Sequence, residues 1–600
     1  MATGKQSITV LALAVNRTMI ADHHLKTGVF MPAAFGFVDW LVVVAYIIIV
    51  MGVGLWVSRG QTSKRDYFLG GREMPWWVVG LSIVATETSA LTLITVPAMT
   101  MGALSFKDGA FHLSGGTMFF MMIVVGHLIG RAIITWWIVP YYFKGDVYTT
   151  YQLLTRAFGP QARAAAAIVS FLGMTLGAGV RVLVTAIPVM IVMRTYEATS
   201  SFSIDHGIII ILIFALVYTA IGGIKAVVWT DMVQFFIFFG AGVFSLLYIP
   251  TLLHGPLAAP SGATGWAAVH EVAGKSMVWF NSGFVGADAT PANIFPRSDV
   301  AEYGWLGRQL SNILAGEFNL MMGLIAVPIG IVFALGFDQL NVQRVLGCRN
   351  VREGRMAMIT SALIIAPQFL MFLVVGAALL AYYLLNGFQF GIMPWDPATV
   401  QNGVGVPKAD YVFPVFIIEH MPTVMKGFLM AAILAAAMSS VSSALSAMGS
   451  IIVMDLIRPL TGGKSSEATD LLHSRIAVVL SGVLLFVVAY VCKAATSIFT
   501  LAFELAGLTA GAILGAFLYG LIWRRGHWIP VAIGMAVSVG FMVVFNMLRQ
   551  ATGDTPALLR INWPWHAPIG TLVALVMIAV LSPLFPVPES RSIDIETEGE

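Results

Sequence analysis

The chain has 600 residues, of which 58% are hydrophobic and 10% are charged, and its formal net charge is +3. Soluble domains carry about 25% charged residues, so the composition excludes an ordinary soluble protein and indicates a membrane protein with many spans. The small net charge gives no support for nucleic-acid binding.

Thirteen stretches of the chain are apolar over about the 20 residues that a helix needs to cross a bilayer. We therefore predict an all-α polytopic membrane protein with about 13 transmembrane helices. The stretches lie at approximately 37–58, 76–103, 114–139, 165–193, 206–222, 227–252, 310–336, 357–386, 423–455, 474–492, 497–523, 528–548 and 567–586. Residues 1–36 are predicted to be a disordered extension, because their apolar run Ile8–Val15 is too short to span; a weak signal-peptide core is the alternative.

Lysine and arginine cluster in alternate short connections, a distribution that marks the cytoplasmic side of a membrane protein. The cluster after the seventh stretch, for example, consists of Arg344, Arg349, Arg352 and Arg355. This pattern predicts an external N-terminus and a cytoplasmic acidic tail at 587–600, in a plasma membrane or bacterial inner membrane. The long connections 253–309 and 387–422 are then external. Cys348 and Cys492 lie near opposite faces, so no disulfide is expected between them.

The second and seventh stretches share an interruption by polar residues near mid-membrane, at Thr86–Ser89 and at Gly316–Asn319. Each opens a run of five spans, 76–252 and 310–523. Paired five-helix blocks that begin with a broken helix are typical of inverted-repeat transporters, in which the break frees backbone carbonyls to bind a cation or substrate. One peripheral helix at 37–58 precedes the blocks, and two at 528–586 follow them.

The ninth stretch carries hydroxyl groups along one helical face. They belong to Ser439, Ser442, Ser443, Ser446 and Ser450. Neutral hydroxyls together with carbonyls from a broken helix suit Na⁺, because they supply oxygen without the negative charge that favours a divalent ion. The alternative is that small serines only let helices pack closely.

Ionisable residues at membrane depth cost about 2.5–3.5 kcal/mol each on insertion scales, so they are not expected to face lipid. They are Glu87, Arg181, Asp231, Glu317 and Glu504. They could be ligands, substrate contacts or gates. Alternatively they could form salt bridges between helices, for which Glu87 and Arg181 are the obvious candidate pair.

A glycine pair, Gly222-Gly223, permits a tight turn between the fifth and sixth spans. It is followed by Ala226-Val227-Val228-Trp229-Thr230-Asp231 and then Gln234. This stretch resembles the hallmark of the sodium/solute symporter family, which includes sodium/glucose, proline, iodide, pantothenate and sialic acid transporters. The family's pattern is also matched, in the expected order, by Pro75–Ser82, Gly336–Gln339 with Gln343-Arg344, and Ala435–Ser443 running on to Met454-Asp455.

The resemblance implies a LeuT-type core of two inverted five-helix repeats. It also implies a sodium site between the first and eighth core helices. On this chain the matching positions are Ala85, Thr88, Ala436, Ser439 and Ser440. Some relatives carry a second sodium site, and Asp231 with Ser439, Ser442 and Ser443 matches that pattern.

The resemblance is weaker for the solute. Several positions that hold the sugar in a sodium/galactose relative are Glu87, Thr92, Ile331 and Ile364 here, and the two isoleucines cannot hydrogen-bond a hexose. Arg181 falls where sialic acid transporters bind the substrate carboxylate, which favours an anionic or zwitterionic solute. The predicted substrate-binding residues are Glu87, Thr92, Arg181, Glu317 and Phe318.

The sequence therefore predicts a sodium-coupled symporter of a small organic solute, with Na⁺ as the coupling ion and the lipid bilayer as its surroundings. The alternatives are a proton-coupled symporter of the same fold and a solute sensor that does not transport. An enzyme is not expected, because no metal triad, nucleophile elbow or phosphate loop is evident. The oligomeric state is not predicted.

Overall fold

The computed structural model describes most of the chain. The described residues are 35–59, 64–102, 104–107, 110–113, 116–144, 147–194, 196, 199, 201–284, 305–316, 318–386, 409–460, 466–494, 498–523, 526–551 and 561–586. The predicted extension 1–36 and the acidic tail 587–600 lie almost wholly or wholly outside these ranges.

The architecture is helical. The helices are α1 (Phe37–Val57), α2 (Lys64–Leu69), α3 (Trp76–Glu87), α4 (Ala90–Met101), α5 (Met121–Ile133), α6 (Val139–Tyr142), α7 (Gln152–Phe158), α8 (Pro160–Arg194), α9 (Ile204–Thr251), α10 (Gly265–Ala273), α11 (Trp305–Ala315), α12 (Val327–Gly336), α13 (Gln339–Leu346), α14 (Val351–Asn386), α15 (Ala409–His420), α16 (Met425–Ser450), α17 (Arg458–Leu460), α18 (Glu467–Val491), α19 (Ile498–Trp523), α20 (Trp528–Ala551) and α21 (His566–Leu581). Two strands, β1 (Leu104–Lys107) and β2 (Ala110–Leu113), pair antiparallel with Leu104 opposite Leu113.

The described residues contain ten helices that are long and apolar enough to cross a membrane. Two bent pairs, Trp76–Glu87 with Thr92–Met101 and Met322–Gly336 with Gln339–Leu346, pass the same test together, with bends of 54° and 56°. The shorter apolar helix Ile204–Val217 accounts for the remaining predicted stretch. Each of the thirteen apolar stretches thus has a helical counterpart.

The structure differs from the expectation in the connections. The third stretch, expected from residue 114, begins as helix only at Met121 and follows the β1–β2 ribbon. The two long connections, 253–309 and 387–422, contain helices α10 and α15, neither of which the sequence pattern predicted. These helices are short, so their apolar period is brief and easily missed.

The glycine pair forms the predicted turn, because the range of α9 consists of two helices that meet at a kink at Gly223. Gly223 has φ 55° and ψ −165°, a conformation that L-residues rarely adopt. A Cβ atom there would also lie 2.6 Å from the carbonyl oxygen of Tyr67. Glycine is therefore required at this position by both conformation and space.

The contact between α5 and the second broken helix is unusually close. A Cβ atom on Gly126 would lie 2.4 Å from Val327, and one on Gly130 would lie 2.6 Å from the side chain of Ile331. In turn, a Cβ on Gly323 would lie 2.4 Å from the carbonyl oxygen of Met122. The two helices are thus packed with almost no side-chain layer between them.

The serine-bearing helix α16 lies at the centre of the bundle, and almost every residue from Leu429 to Ser450 is buried. By contrast, α1 lies at the periphery, and large apolar side chains such as Leu41, Ile48 and Trp56 are exposed on it. Exposed apolar surface of this kind suits contact with lipid. The polar residues of α16 consequently face other helices.

Candidate functional site

The predicted cation site is built at the end of α3. The helix stops at Glu87, and Thr88 leaves helical geometry with φ −80° and ψ 80°. Ser89 then adopts an extended conformation and starts α4. A helix that ends inside the bundle leaves carbonyl groups without their usual intrahelical donors, so their oxygens must find other partners.

Two serine hydroxyls of α16 provide those partners. Ser439 Oγ donates to the carbonyl oxygens of Ala85 and Ala436, both at 3.0 Å. Ser440 Oγ lies 3.2 Å from the carbonyl oxygens of Thr86 and Ala436. All of these residues are buried. The structure therefore brings Ala85, Ala436, Ser439 and Ser440 together, and their role as a sodium site stays a prediction.

The fifth residue of this set, Thr88, lies at the break itself. Its hydroxyl contacts the side-chain amide of Gln368 on α14, a residue that the sequence analysis did not single out. The amide fixes the Thr88 side chain and joins α14 to the break. The hydroxyl protons of Ser439 and Ser440 can rotate, so these two oxygens can point lone pairs towards a bound ion.

The second predicted cation site contains a basic residue, Arg344, that pairs with its acidic group. Asp231 Oδ2 accepts from Arg344 at 3.0 Å, from Ser82 at 2.7 Å and from Thr86 at 3.3 Å. Arg344 also donates to Ser443, and both charged side chains are fully buried. Arg344, interpreted from the sequence as a cytoplasmic loop charge, is instead an interior residue.

The remaining serines of this group turn back on their own helix. Ser442 Oγ donates to the carbonyl oxygen of Ser439 at 3.2 Å, and Ser443 Oγ donates to the same oxygen at 2.5 Å. Asp231 Oδ1 has no hydrogen-bond partner among the described residues. The Arg344 guanidinium contacts the other carboxylate oxygen, Asp231 Oδ2, and the hydroxyls of Ser82 and Ser443.

Glu87 pairs with Arg131 of α5, which corrects the expected pairing with Arg181. The guanidinium of Arg131 contacts the Glu87 carboxylate and donates to Ser361 of α14 at 3.0 Å. Its Nη1 lies 2.7 Å from Nδ1 of His127, which is 3.8 Å from the carboxylate. This cluster joins the broken helix to α5 and α14. Arg131 was not predicted as a partner, although its charge lies within a predicted span.

Arg181 lies elsewhere, on α8, and is half-buried. It lines a small cavity of about 50 Å³ between α8, α12 and α19, with Phe333, Ala506 and Thr509 among the other lining residues. Asp338 lies on the same cavity and attracts the guanidinium electrostatically, but no carboxylate of the described residues is within 4.0 Å of it.

The other predicted substrate residues lie near the two helix breaks. Thr92 is buried on α4. Phe318 packs edge-on against Phe120, with ring centroids 5.3 Å apart. Phe120 contacts Phe369 at 5.1 Å, and Phe369 contacts His127 at 5.7 Å. An aromatic chain therefore connects Phe318 to the Glu87 cluster. Glu317 lies outside the described residues.

The remaining membrane-depth acid, Glu504 of α19, forms a salt bridge with Arg549 of α20. This pair joins a core helix to a peripheral one. The pair favours the structural alternative for Glu504, in which opposite charges tie helices together.

Comparison with known proteins gives consistent matches over most of the chain. The model of the sodium:solute symporter family matches residues 67–528. The chain is 27% identical to a sodium/glucose cotransporter of Vibrio parahaemolyticus over 527 residues, covering 85% of this chain and 86% of the relative. It is 24% identical to a sodium/sialic acid symporter of Proteus mirabilis over 573 residues, covering 94% and 99%.

Among solved structures, the chain resembles the substrate-bound, outward-open state of a Na⁺-coupled sialic acid symporter. The TM-score is 0.69 at 21% sequence identity, and the match covers 92% of this chain and 99% of the other. This likeness confirms the predicted fold class, a helical membrane protein with a LeuT-type core of two inverted five-helix repeats.

Proposed function

The chain belongs to the sodium:solute symporter family, and we propose that it uses the inward flow of Na⁺ to accumulate a small organic solute that carries a carboxylate. It is a multi-pass membrane transporter and not an enzyme. We place it in a plasma membrane or bacterial inner membrane, with the N-terminus outside. The bound Na⁺ and the solute are both cargo.

The proposed sodium site is the junction of α3 and α16, formed by Ala85, Thr88, Ala436, Ser439 and Ser440. Its support is the hydrogen bonding between Ser439 and the carbonyl oxygens of Ala85 and Ala436. Na⁺ binding there would replace hydroxyl–carbonyl bonds by ion–oxygen contacts to the same groups. Binding would thereby hold the broken helix against α16 and favour one arrangement of the core.

A second Na⁺ at Asp231, Ser442 and Ser443 is proposed only for a state in which Arg344 has moved away. In the arrangement described here, the guanidinium supplies the positive charge beside Asp231 and contacts Ser443. A sodium ion placed there as well would be repelled by the positive charge of the guanidinium. We therefore infer that one Na⁺ binds before Arg344 moves.

The observation that carries the carboxylate proposal is the state of Arg181. The acids Glu87, Asp231 and Glu504 each contact an arginine within the described residues, whereas Arg181 has no such partner within 4.0 Å. Asp338 attracts the guanidinium without contacting it, so the guanidinium is open to a further anionic partner. A guanidinium recognises a carboxylate through two parallel hydrogen bonds.

Glu87, Thr92, Glu317 and Phe318 are proposed as further substrate residues at the two helix breaks, apart from the cavity that Arg181 lines. The packing of Phe318 and its neighbours provides apolar surface close to the Glu87 cluster. An anionic or zwitterionic solute with an apolar portion fits this combination better than a hexose, because Ile331 and Ile364 offer no hydrogen bonds.

Coupling follows if Na⁺ binding stabilises the arrangement that also binds the solute, since the two affinities then rise together. Each positive charge carried inward down 100 mV releases about 2.3 kcal/mol before any concentration gradient is counted. The number of sodium ions moved with each solute therefore sets how steeply the solute can be accumulated.

The test is uptake into proteoliposomes under an imposed Na⁺ gradient, and separately under an imposed H⁺ gradient. The panel should contain labelled small carboxylates, amino acids and neutral hexoses. We expect Na⁺-driven uptake of a carboxylate, abolished in Arg181→Gln and retained in the control Arg194→Gln at the exposed end of the same helix. Uptake driven by H⁺ alone would favour the proton-coupled alternative, and hexose uptake that survives Arg181→Gln would refute the carboxylate assignment. Na⁺-dependent solute binding without uptake would favour a sensor.

A further inference from the structure

Asp39 of the peripheral helix α1 caps the start of the serine-bearing helix α16. Its Oδ1 accepts from the backbone nitrogens of Val424 and Gly427, at 2.8 and 3.3 Å. Its Oδ2 accepts from the backbone nitrogen of Gly36 at 2.9 Å. The side chain is buried, so the carboxylate is committed to these contacts.

The helix α16 has no side-chain cap from its own segment; the Pro422 carbonyl oxygen accepts from Met425 and Lys426, which leaves the amides of Val424 and Gly427 to Asp39. Its N-cap residue is Val424, whose aliphatic side chain makes no capping hydrogen bond and whose φ of 75° is unusual for a β-branched residue. The first amides of a helix need acceptors and favour a negative charge. Asp39 supplies both from another helix. A Cβ on Gly427 would lie 2.4 Å from the carbonyl oxygen of Asp39, so glycine is needed for this approach.

A second residue of α1 contacts the bundle closer to the proposed sodium site. The hydroxyl of Tyr46 accepts from Gln234 Nε2 at 3.1 Å and lies 3.6 Å from the sulfur of Met438. Met438 precedes Ser439 in the chain, and Gln234 lies one helical turn after Asp231. Both contacts are buried.

We propose that α1 is a positioning element for sodium binding, in which Asp39 fixes the axial position of α16 and Tyr46 fixes its rotation. The inference rests on the proposed sodium site at α3 and α16. The helix α1, Phe37–Val57, lies before residues 67–528, the part matched by the family model. The device therefore belongs to a segment outside the residues that the family model matches. Ser439 must meet Ala85 within hydrogen-bond distance, so a small shift of α16 would weaken the ion's oxygen shell.

The test uses Na⁺ as the probe, which avoids any need to know the solute. The purified full-length protein is heated at increasing NaCl, with choline chloride holding the ionic strength constant, and the Na⁺ concentration that gives half of the stabilisation is recorded. The variants are Asp39→Ala, Asp39→Asn and Tyr46→Phe. The matched control is Leu41→Ala, half a turn from Asp39 on the exposed face of the same helix.

We expect Asp39→Ala to raise the half-stabilising Na⁺ concentration about three- to tenfold, the range that corresponds to the loss of a helix cap. Asp39→Asn, which keeps an acceptor but no charge, should give a smaller rise, and Leu41→Ala none. Tyr46→Phe should also raise it, and this variant serves if Asp39→Ala does not fold.

If α1 has a purely structural role, the variants will lower the melting temperature equally in NaCl and in choline chloride. The half-stabilising Na⁺ concentration of every variant will then equal the wild-type value, and this result would overturn the proposal. Absence of any Na⁺ effect on the wild-type protein would instead refute the sodium site on which it rests.

Discussion

The pairing of Glu87 with Arg131 predicts a specific pattern of energetic coupling. Arg131 is 1% exposed at its side chain and Glu87 is 12% exposed, so removal of either partner leaves a charge inside the bundle. Breaking a buried ion pair in this way costs about 3–5 kcal/mol. We expect that loss of stability for Arg131→Gln, which also removes the hydrogen bond to Ser361.

The double variant Glu87→Gln/Arg131→Gln should be destabilised by less than the sum of its single variants, with a coupling energy on the order of 2 kcal/mol. The matched control is Glu87→Gln/Arg181→Gln. Glu87 and Arg181 form no salt bridge in the described structure, so those effects should add within about 0.5 kcal/mol.

The measurement is unfolding of the purified protein by denaturant in mixed detergent micelles, followed by tryptophan fluorescence for each single and double variant. Coupling of Glu87 to Arg181, or strict additivity with Arg131, would refute the pairing. Wild-type transport by the Glu87→Gln/Arg131→Gln variant would show that the pair is structural and that Glu87 does not contact the solute.

Three further predictions concern the cation sites and the topology. Ser439→Ala should raise the half-saturating Na⁺ concentration for transport about tenfold, the effect of losing about 1.4 kcal/mol of binding free energy. The control Ser446→Ala, on the same helix, should leave that concentration unchanged, because the Ser446 hydroxyl has no partner among the described residues. Equal shifts in the two variants would remove Ser439 from the site. Asp231→Asn should lower the number of sodium ions moved per solute, measured from the reversal potential of uptake, and an unchanged ratio would assign Asp231 a structural role. A membrane-impermeant maleimide should label the partly exposed Cys492 from outside the cell. It should not label the buried Cys348, because burial raises the pKa of the Cys348 thiol. Labelling of Cys492 only from the cytoplasmic side would invert the predicted orientation.

Much of this architecture could be predicted from the sequence because hydropathy and helical period are local properties. The break at Thr86–Ser89 is visible as polar residues inside an apolar run, and the hydroxyl face of α16 follows from serine spacing. That these two features meet was predicted through the resemblance, and the contact of Ser439 with Ala85 agrees with it.

The partners of the buried acids could not be predicted in the same way. Arg131 lies in an apolar span and Arg344 near a group of loop arginines, and neither position reveals which carboxylate it meets. Pairing depends on how helices far apart in the chain are rotated about their axes, and hydropathy does not encode that rotation. The capping of α16 by Asp39 is missed for the same reason, since a cap is normally sought within a few residues of its own helix.

The glycine-lined contact between α5 and α12 has a mechanical consequence. Val327 and Ile331 occupy the space that side chains on Gly126 and Gly130 would fill. Neither helix can therefore slide along the other unless these two side chains lose their contacts with the glycines. Close-packed interiors deform little and pass strain on. A tilt of the helix that begins beside Phe318 would therefore tilt α5 along its whole length. The two helices are expected to move as one rigid unit.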